Sequence, residues 1–162
     1  MNVQMKPRPS WSPGRSGDPV ILFVDDELEI LSALRRCFRH EAYVIYTALG
    51  PAEGLSWLGR APVDLVISDE RMPGMTGTEF LLEARERSPR TGRGILTGYP
   101  SEALVRCGLE AGADTFLYKP WEDRSLRENI RRLLERQGSK GSHAVPEEES
   151  AEDSFDLGGE GG

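Results

Sequence analysis

Five short apolar runs recur through the middle of the chain, at residues 20–24, 43–47, 63–68, 94–97 and 115–118. They are rich in Val, Ile, Leu, Phe and Tyr, and they are too short for helices. Strands buried on both faces have this character. Between the runs the apolar period changes to that of a helix. Ile30, Leu34 and Phe38 recur every fourth residue, as do Ala103, Cys107 and Ala111. Leu126, Ile130, Leu133 and Leu134 form the clearest stripe, with Arg and Glu on the remaining faces. Weaker stripes join Phe80 to Leu81 and Ala84, and Ala52 to Leu55 and Leu58. Asp26 with Glu29 reads as a capping box for the first helix, and Pro120 as the opening residue of the last.

Five strand-then-helix units require parallel strands joined by right-handed crossovers. The predicted architecture is a three-layer α/β sandwich, a (βα)5 fold with a parallel five-stranded sheet in the flavodoxin-like order 2-1-3-4-5. In such sheets ligands bind beyond the carboxyl ends of the strands. The residues standing at those ends therefore carry the functional question.

Charge and composition narrow the classes. The net charge is −7, distributed as +3 over residues 1–17, −4 over 18–136 and −6 over 137–162. An acidic core with an acidic tail argues against nucleic-acid binding, which draws its affinity from basic side chains on phosphates. The longest apolar run has five residues, against the roughly 20 of a membrane-spanning helix. No membrane association and a cytoplasmic location are expected. Residues 1–17 are expected to form an unstructured arm, 18–136 the folded domain, and 137–162 an unstructured acidic tail. Phe155 and Leu157 in that tail are the alternative, as anchors of a docking segment. Cys37 and Cys107 lack metal-ligand spacing and read as buried small hydrophobes.

Asp25, Asp26 and Glu27 follow the first run, Asp69 the third, Thr97 closes the fourth, and Lys119 follows the fifth. Crowded carboxylates raise one another's pKa or recruit a cation, and an all-oxygen site suits Mg²⁺ or Mn²⁺. Lys119 is the only lysine within 18–136, where the other 15 basic residues are arginine. A compact ammonium there suits a phosphate as a point charge, and Thr97 adds a hydroxyl. Together these groups form a phosphoryl-transfer site with Asp69 as the acceptor.

VILFVDDE (20–27), VDLVISDERMPGMTG (63–77), GILTGYP (94–100) and AGADTFLYKPW (111–121) closely resemble the receiver domain of two-component response regulators. The resemblance covers about residues 18–136. It implies that Asp69 is phosphorylated by a histidine kinase or histidine phosphotransfer protein. It also implies that Asp25, Asp26, Asp69 and the backbone carbonyl of Arg71 hold Mg²⁺ (or Mn²⁺), and that Thr97 and Lys119 bind the phosphoryl oxygens. Phe116 matches the family's switch aromatic, which turns inward as Thr97 moves. The Lys119–Pro120 bond would be cis. Arg71 and Tyr99 occupy positions flanking the path of the hydrolytic water and would modulate dephosphorylation.

The expected function is that of a single-domain response regulator, a phosphoacceptor and no enzyme beyond its own phosphorylation and dephosphorylation. Phosphorylation would change the affinity of residues 98–136 for a downstream protein, and that face is also a candidate for phosphorylation-dependent dimerisation. A phosphorelay shuttle or phosphate sink is the alternative within this chemistry. An interaction module that keeps the fold without using phosphorylation is the alternative outside it. A small-molecule aspartyl phosphatase would need a second Asp two residues after the first, where this chain has Glu27.

Overall fold

A computed structural model describes residues 17–142, with side chains to 137. Five strands alternate with five helices: β1 (Val20–Asp25), α1 (Leu28–Cys37), β2 (Val44–Leu49), α2 (Pro51–Arg60), β3 (Leu65–Ser68), α3 (Gly77–Arg87), β4 (Gly92–Thr97), α4 (Glu102–Glu110), β5 (Thr115–Tyr118) and α5 (Asp123–Ser142). All four strand pairings are parallel, and the order is β2-β1-β3-β4-β5, as expected.

Alternation along each strand divides the core between the two faces of the sheet. Val20, Leu22, Val24, Val66 and Ile95 face one side, where Leu58 of α2 and Phe80, Leu81 and Ala84 of α3 cover them. Ile21, Phe23, Leu65, Ile67 and Leu96 face the other, under Leu31, Leu34 and Cys37 of α1 and Leu126, Ile130 and Leu133 of α5. Every residue of β1 is buried, which explains its unbroken apolar run. Each fully buried Leu, Ile or Phe contributes about 1.5–3 kcal/mol.

Several local expectations are corrected. The N-cap of α1 is Glu27, with no side-chain cap bond, so Asp26 caps nothing. The strand holds the chain through Asp25, and the Asp25 carboxylate instead accepts the Glu27 N–H at 2.9 Å. The capping box lies on α3, where Thr76 accepts from the Glu79 N–H and Glu79 answers the Thr76 N–H. α5 opens at Asp123 rather than Pro120, because the cis Lys119–Pro120 bond belongs to the preceding turn. It runs on to Ser142. Residues 1–16 and 143–162, including Phe155 and Leu157, lie outside the described residues.

The α4 stripe is rotated from the one expected. Leu104, Gly108 and Ala111 are buried, while Ala103 and Cys107 are exposed. Two ladders of i, i+4 spacing overlap in this segment, and the larger Leu104 takes the core position. Cys37 is buried as expected. Its thiol is pushed up to about 11 by burial, then by Asp123. A thiol-specific alkylating reagent at pH 8 is therefore expected to label the exposed Cys107 well before Cys37, whose thiol is both buried and harder to ionise. Peptide mapping of the singly labelled protein checks this; equal labelling would contradict the burial.

Candidate functional site

The carboxyl edge of the sheet gathers the four loops that follow β1, β3, β4 and β5. Asp25, the last residue of β1, is 2% exposed, and Asp69, just past β3, is 7% exposed. β1 and β3 are neighbours, so parallel pairing sets these two acids side by side. Lys119 arrives from the end of β5, its backbone N–H tied to the Thr97 carbonyl at 2.9 Å. Its ammonium donates to Asp25 Oδ2 at 2.8 Å and lies 3.4 Å from Asp69 Oδ1. One cation thus bridges two buried carboxylates from distant parts of the sequence.

The electrostatics follow from this arrangement. Burial, then the charge of Asp25, pushes the Asp69 carboxyl above its ordinary value, against the pull of Lys119 and the Glu70 N–H. Burial alone would lower the Lys119 ammonium. Its hydrogen bond and attraction to Asp25, with Asp69 adding to them, hold it above its ordinary value instead.

The surrounding groups hold Asp69 in place. The Glu70 N–H donates to Asp69 Oδ1 at 2.9 Å. The Glu70 side chain folds back to accept from the Thr78 N–H and hydroxyl, both at 2.9 Å, closing the loop onto the start of α3. Gly77 opens that helix directly against the Asp69 backbone, where any Cβ would collide with the Asp69 carbonyl. These supports were not foreseen; the signal available was the spacing of Glu70, Gly77 and Thr78 around Asp69.

The carboxylates of Asp25, Asp26 and Glu27 come within 4.8 Å of one another. Asp26 and Glu27 are exposed and Asp25 is buried. An oxygen-only donor set open to solvent on one side fits a hard divalent cation such as Mg²⁺. Glu27 belongs to this group beside the expected Asp25 and Asp26, while Asp69 is linked to it through Asp25 and Lys119. Thr97 is buried, and its hydroxyl oxygen accepts the Tyr99 N–H at 3.1 Å. The Arg71 guanidinium stacks on the Tyr99 ring, 3.9 Å from its centroid. The two residues expected to flank the path of the hydrolytic water thus touch each other. Phe116 is half-buried and packs on the α2–α4 side of the sheet.

The family model described as "Response regulator receiver domain" matches residues 21–137. The chain belongs to the response regulator receiver family. It is 39% identical over 122 residues to the hydrogenase transcriptional regulatory protein HoxA of Cupriavidus necator, covering 75% of this chain and 25% of that protein. It is 35% identical over 141 residues to the aerobic respiration control protein ArcA of Escherichia coli, covering 87% of this chain and 58% of that one. The chain thus spans about a quarter of one relative and under two thirds of the other. A CheY-like receiver domain protein from Methanospirillum hungatei superposes with a TM-score of 0.74 at 33% identity, covering 76% of this chain and 99% of that one.

A carboxyl whose pKa is raised on folding favours the native state while protonated. That contribution is lost as pH rises from the ordinary value through the folded one. Asp69→Asn removes the loss. The variant is expected to melt above the wild type at pH 7 in the absence of divalent ions, the gap narrowing as pH falls toward 3.8, the ordinary Asp value. Thermal melts across that range check it; a lower Tm for the variant at pH 7 would contradict it.

Proposed function

We propose that this chain is a phosphoacceptor of two-component signalling, with Asp69 taking a phosphoryl group from a histidine kinase or histidine phosphotransfer protein. The observation that carries the reading is the ammonium of Lys119 placed between Asp25 and Asp69 at the carboxyl edge of the sheet. Here a second buried carboxylate shares the cation, an arrangement suited to a site awaiting further positive charge and an anionic group.

An Asp69 oxygen forms the new O–P bond as the donor's P–N bond breaks, and the imidazole leaves with the electron pair. Asp25 and Asp26, with Asp69 and the Arg71 backbone carbonyl, would hold Mg²⁺ or Mn²⁺, which supplies charge neutralisation for the phosphoryl oxygens. Lys119 turns from Asp25 to a phosphoryl oxygen, and the Thr97 hydroxyl donates to another. Each such charge-assisted bond favours the phosphorylated arrangement. The chain acts on a separate downstream protein through the face within residues 98–136. Support for this comes from the exposed apolar side chains of Leu109 on α4 and Tyr118 on β5. Among the described residues no helix is long and apolar enough to cross a membrane.

Incubation with acetyl phosphate and Mg²⁺ is expected to add one phosphoryl group to the wild type and none to Asp69→Asn, read by intact mass. An unmodified wild type overturns the reading. In this reading the stacked Arg71 and Tyr99 side chains impede the hydrolytic water, so Arg71→Asn/Tyr99→Ala is expected to shorten the phospho-form's half-life about two- to fivefold, the rate equivalent of a cation–π contact. Equal decay in Mg²⁺ buffer would show the stack irrelevant to hydrolysis.

A further inference from the structure

The opening turn of an α-helix has backbone N–H groups that no residue of the helix accepts. In α3 the capping box answers two of them, the N–H groups of Thr76 and Glu79. The next two are answered by one residue outside the helix, Glu70, on the far side of the loop after β3. Its carbonyl accepts the Gly77 N–H at 2.9 Å, and its carboxylate accepts the Thr78 N–H at 2.9 Å. The Thr78 hydroxyl then donates to the same carboxylate, 2.9 Å from Oε2 and 3.1 Å from Oε1. Capping does not call for that last contact, because a side-chain hydroxyl is not among the groups a helix terminus leaves open.

Glu70 is bound to Asp69 at the same time. Its N–H donates to Asp69 Oδ1 at 2.9 Å, and the carbonyl of that same peptide accepts the Ser68 hydroxyl at 2.8 Å. A rotation of this peptide would break both bonds and release the Asp69 carboxylate. The Glu70 carbonyl and side chain, fixed on α3, oppose that rotation from the other end. Arg71 follows, exposed, between Glu70 and the buried Met72. Its backbone carbonyl, which the proposed metal site uses, is thus held between two anchored neighbours.

We infer that Glu70 is a positioning residue for the divalent ion: the bonds from Thr78 to its carboxylate hold the loop in the arrangement that presents Asp69 and the Arg71 carbonyl together. The inference rests on Asp69 being the acceptor. Its rival is a plain helix cap, in which Glu70 stabilises α3 and the site is indifferent to it. A loop that keeps the binding arrangement only about one third of the time raises the apparent dissociation constant about threefold, because binding draws on that fraction alone.

The test compares the full-length wild type with Glu70→Ala, Glu70→Gln and Thr78→Val. Dissociation constants for Mg²⁺ are read from amide NMR titrations without a phosphodonor, and Tm from thermal melts. Phosphorylation by acetyl phosphate with Mg²⁺ is read by intact mass. Glu70→Ala and Glu70→Gln remove the same charge, but the glutamine oxygen still accepts from Thr78. Glu70→Ala is therefore expected to bind Mg²⁺ at least about threefold more weakly than Glu70→Gln. Equal constants for these two variants, whatever their Tm values, would overturn the inference and leave the Asp69 reading intact. A wild type that acetyl phosphate and Mg²⁺ leave unmodified would overturn both. Where Glu70→Ala does not fold, Thr78→Val decides, since it keeps the carboxylate and the N–H bond and loses only the hydroxyl. A constant about twofold above the wild type then supports the inference, and an unchanged one overturns it.

Discussion

Lys119 reaches from the end of β5 to carboxylates at the ends of β1 and β3, and the carboxyl edge of the sheet is organised around that ammonium. Two acids this buried would repel across a low-dielectric gap and each lose hydration. The ammonium relieves both penalties at the cost of its own desolvation, and the net balance leaves Asp69 raised above its ordinary value. The site is therefore poised rather than neutralised. It has one cation for two carboxylates, and further acids at Asp26 and Glu27 face solvent. That imbalance suits the site to a hard divalent cation.

Rigid support is concentrated behind Asp69, and the opposite rim is held by fewer contacts. Glu70 closes the loop after β3 onto Thr78, Gly77 presses the start of α3 against the Asp69 backbone, and Thr76 with Glu79 caps that helix reciprocally. The other rim is built differently. Tyr99 is exposed, holds Arg71 only by a stacking contact, and follows a threonine whose hydroxyl oxygen is engaged by a backbone N–H. These contacts are individually weak, so this rim is the less firmly held side of the site.

The fold was legible because the buried strands leave a direct mark on the residue types. β1 is covered on both sides, and its unbroken Val-Ile-Leu-Phe-Val run records that. α5 likewise shows its stripe of Leu126, Ile130 and Leu133 because polar residues fill its other faces. The signals that failed were local ones with two equivalent solutions. Asp26 and Glu29 have capping-box spacing, yet β1 holds its chain one residue longer and the cap falls on Glu27. In α4 the ladders through Ala103 and Leu104 have the same period, and only contact with the sheet selects Leu104.

At the site, the sequence by itself determined the chemical inventory and its place: acids after the first and third strands, a hydroxyl at the fourth, a solitary lysine at the fifth. Parallel topology sends every strand end to one edge, so strand order alone brings those residues together. What only the tertiary structure decided is who touches whom. The pairing of Lys119 with Asp25 more closely than with Asp69, the stacking of Arg71 on Tyr99 and the ring of Phe116 against Gly108 leave no periodic trace. Each joins residues separated by loops or strands, and distances of a few ångströms between side chains depend on the packing of the whole sheet rather than on any local run of residues.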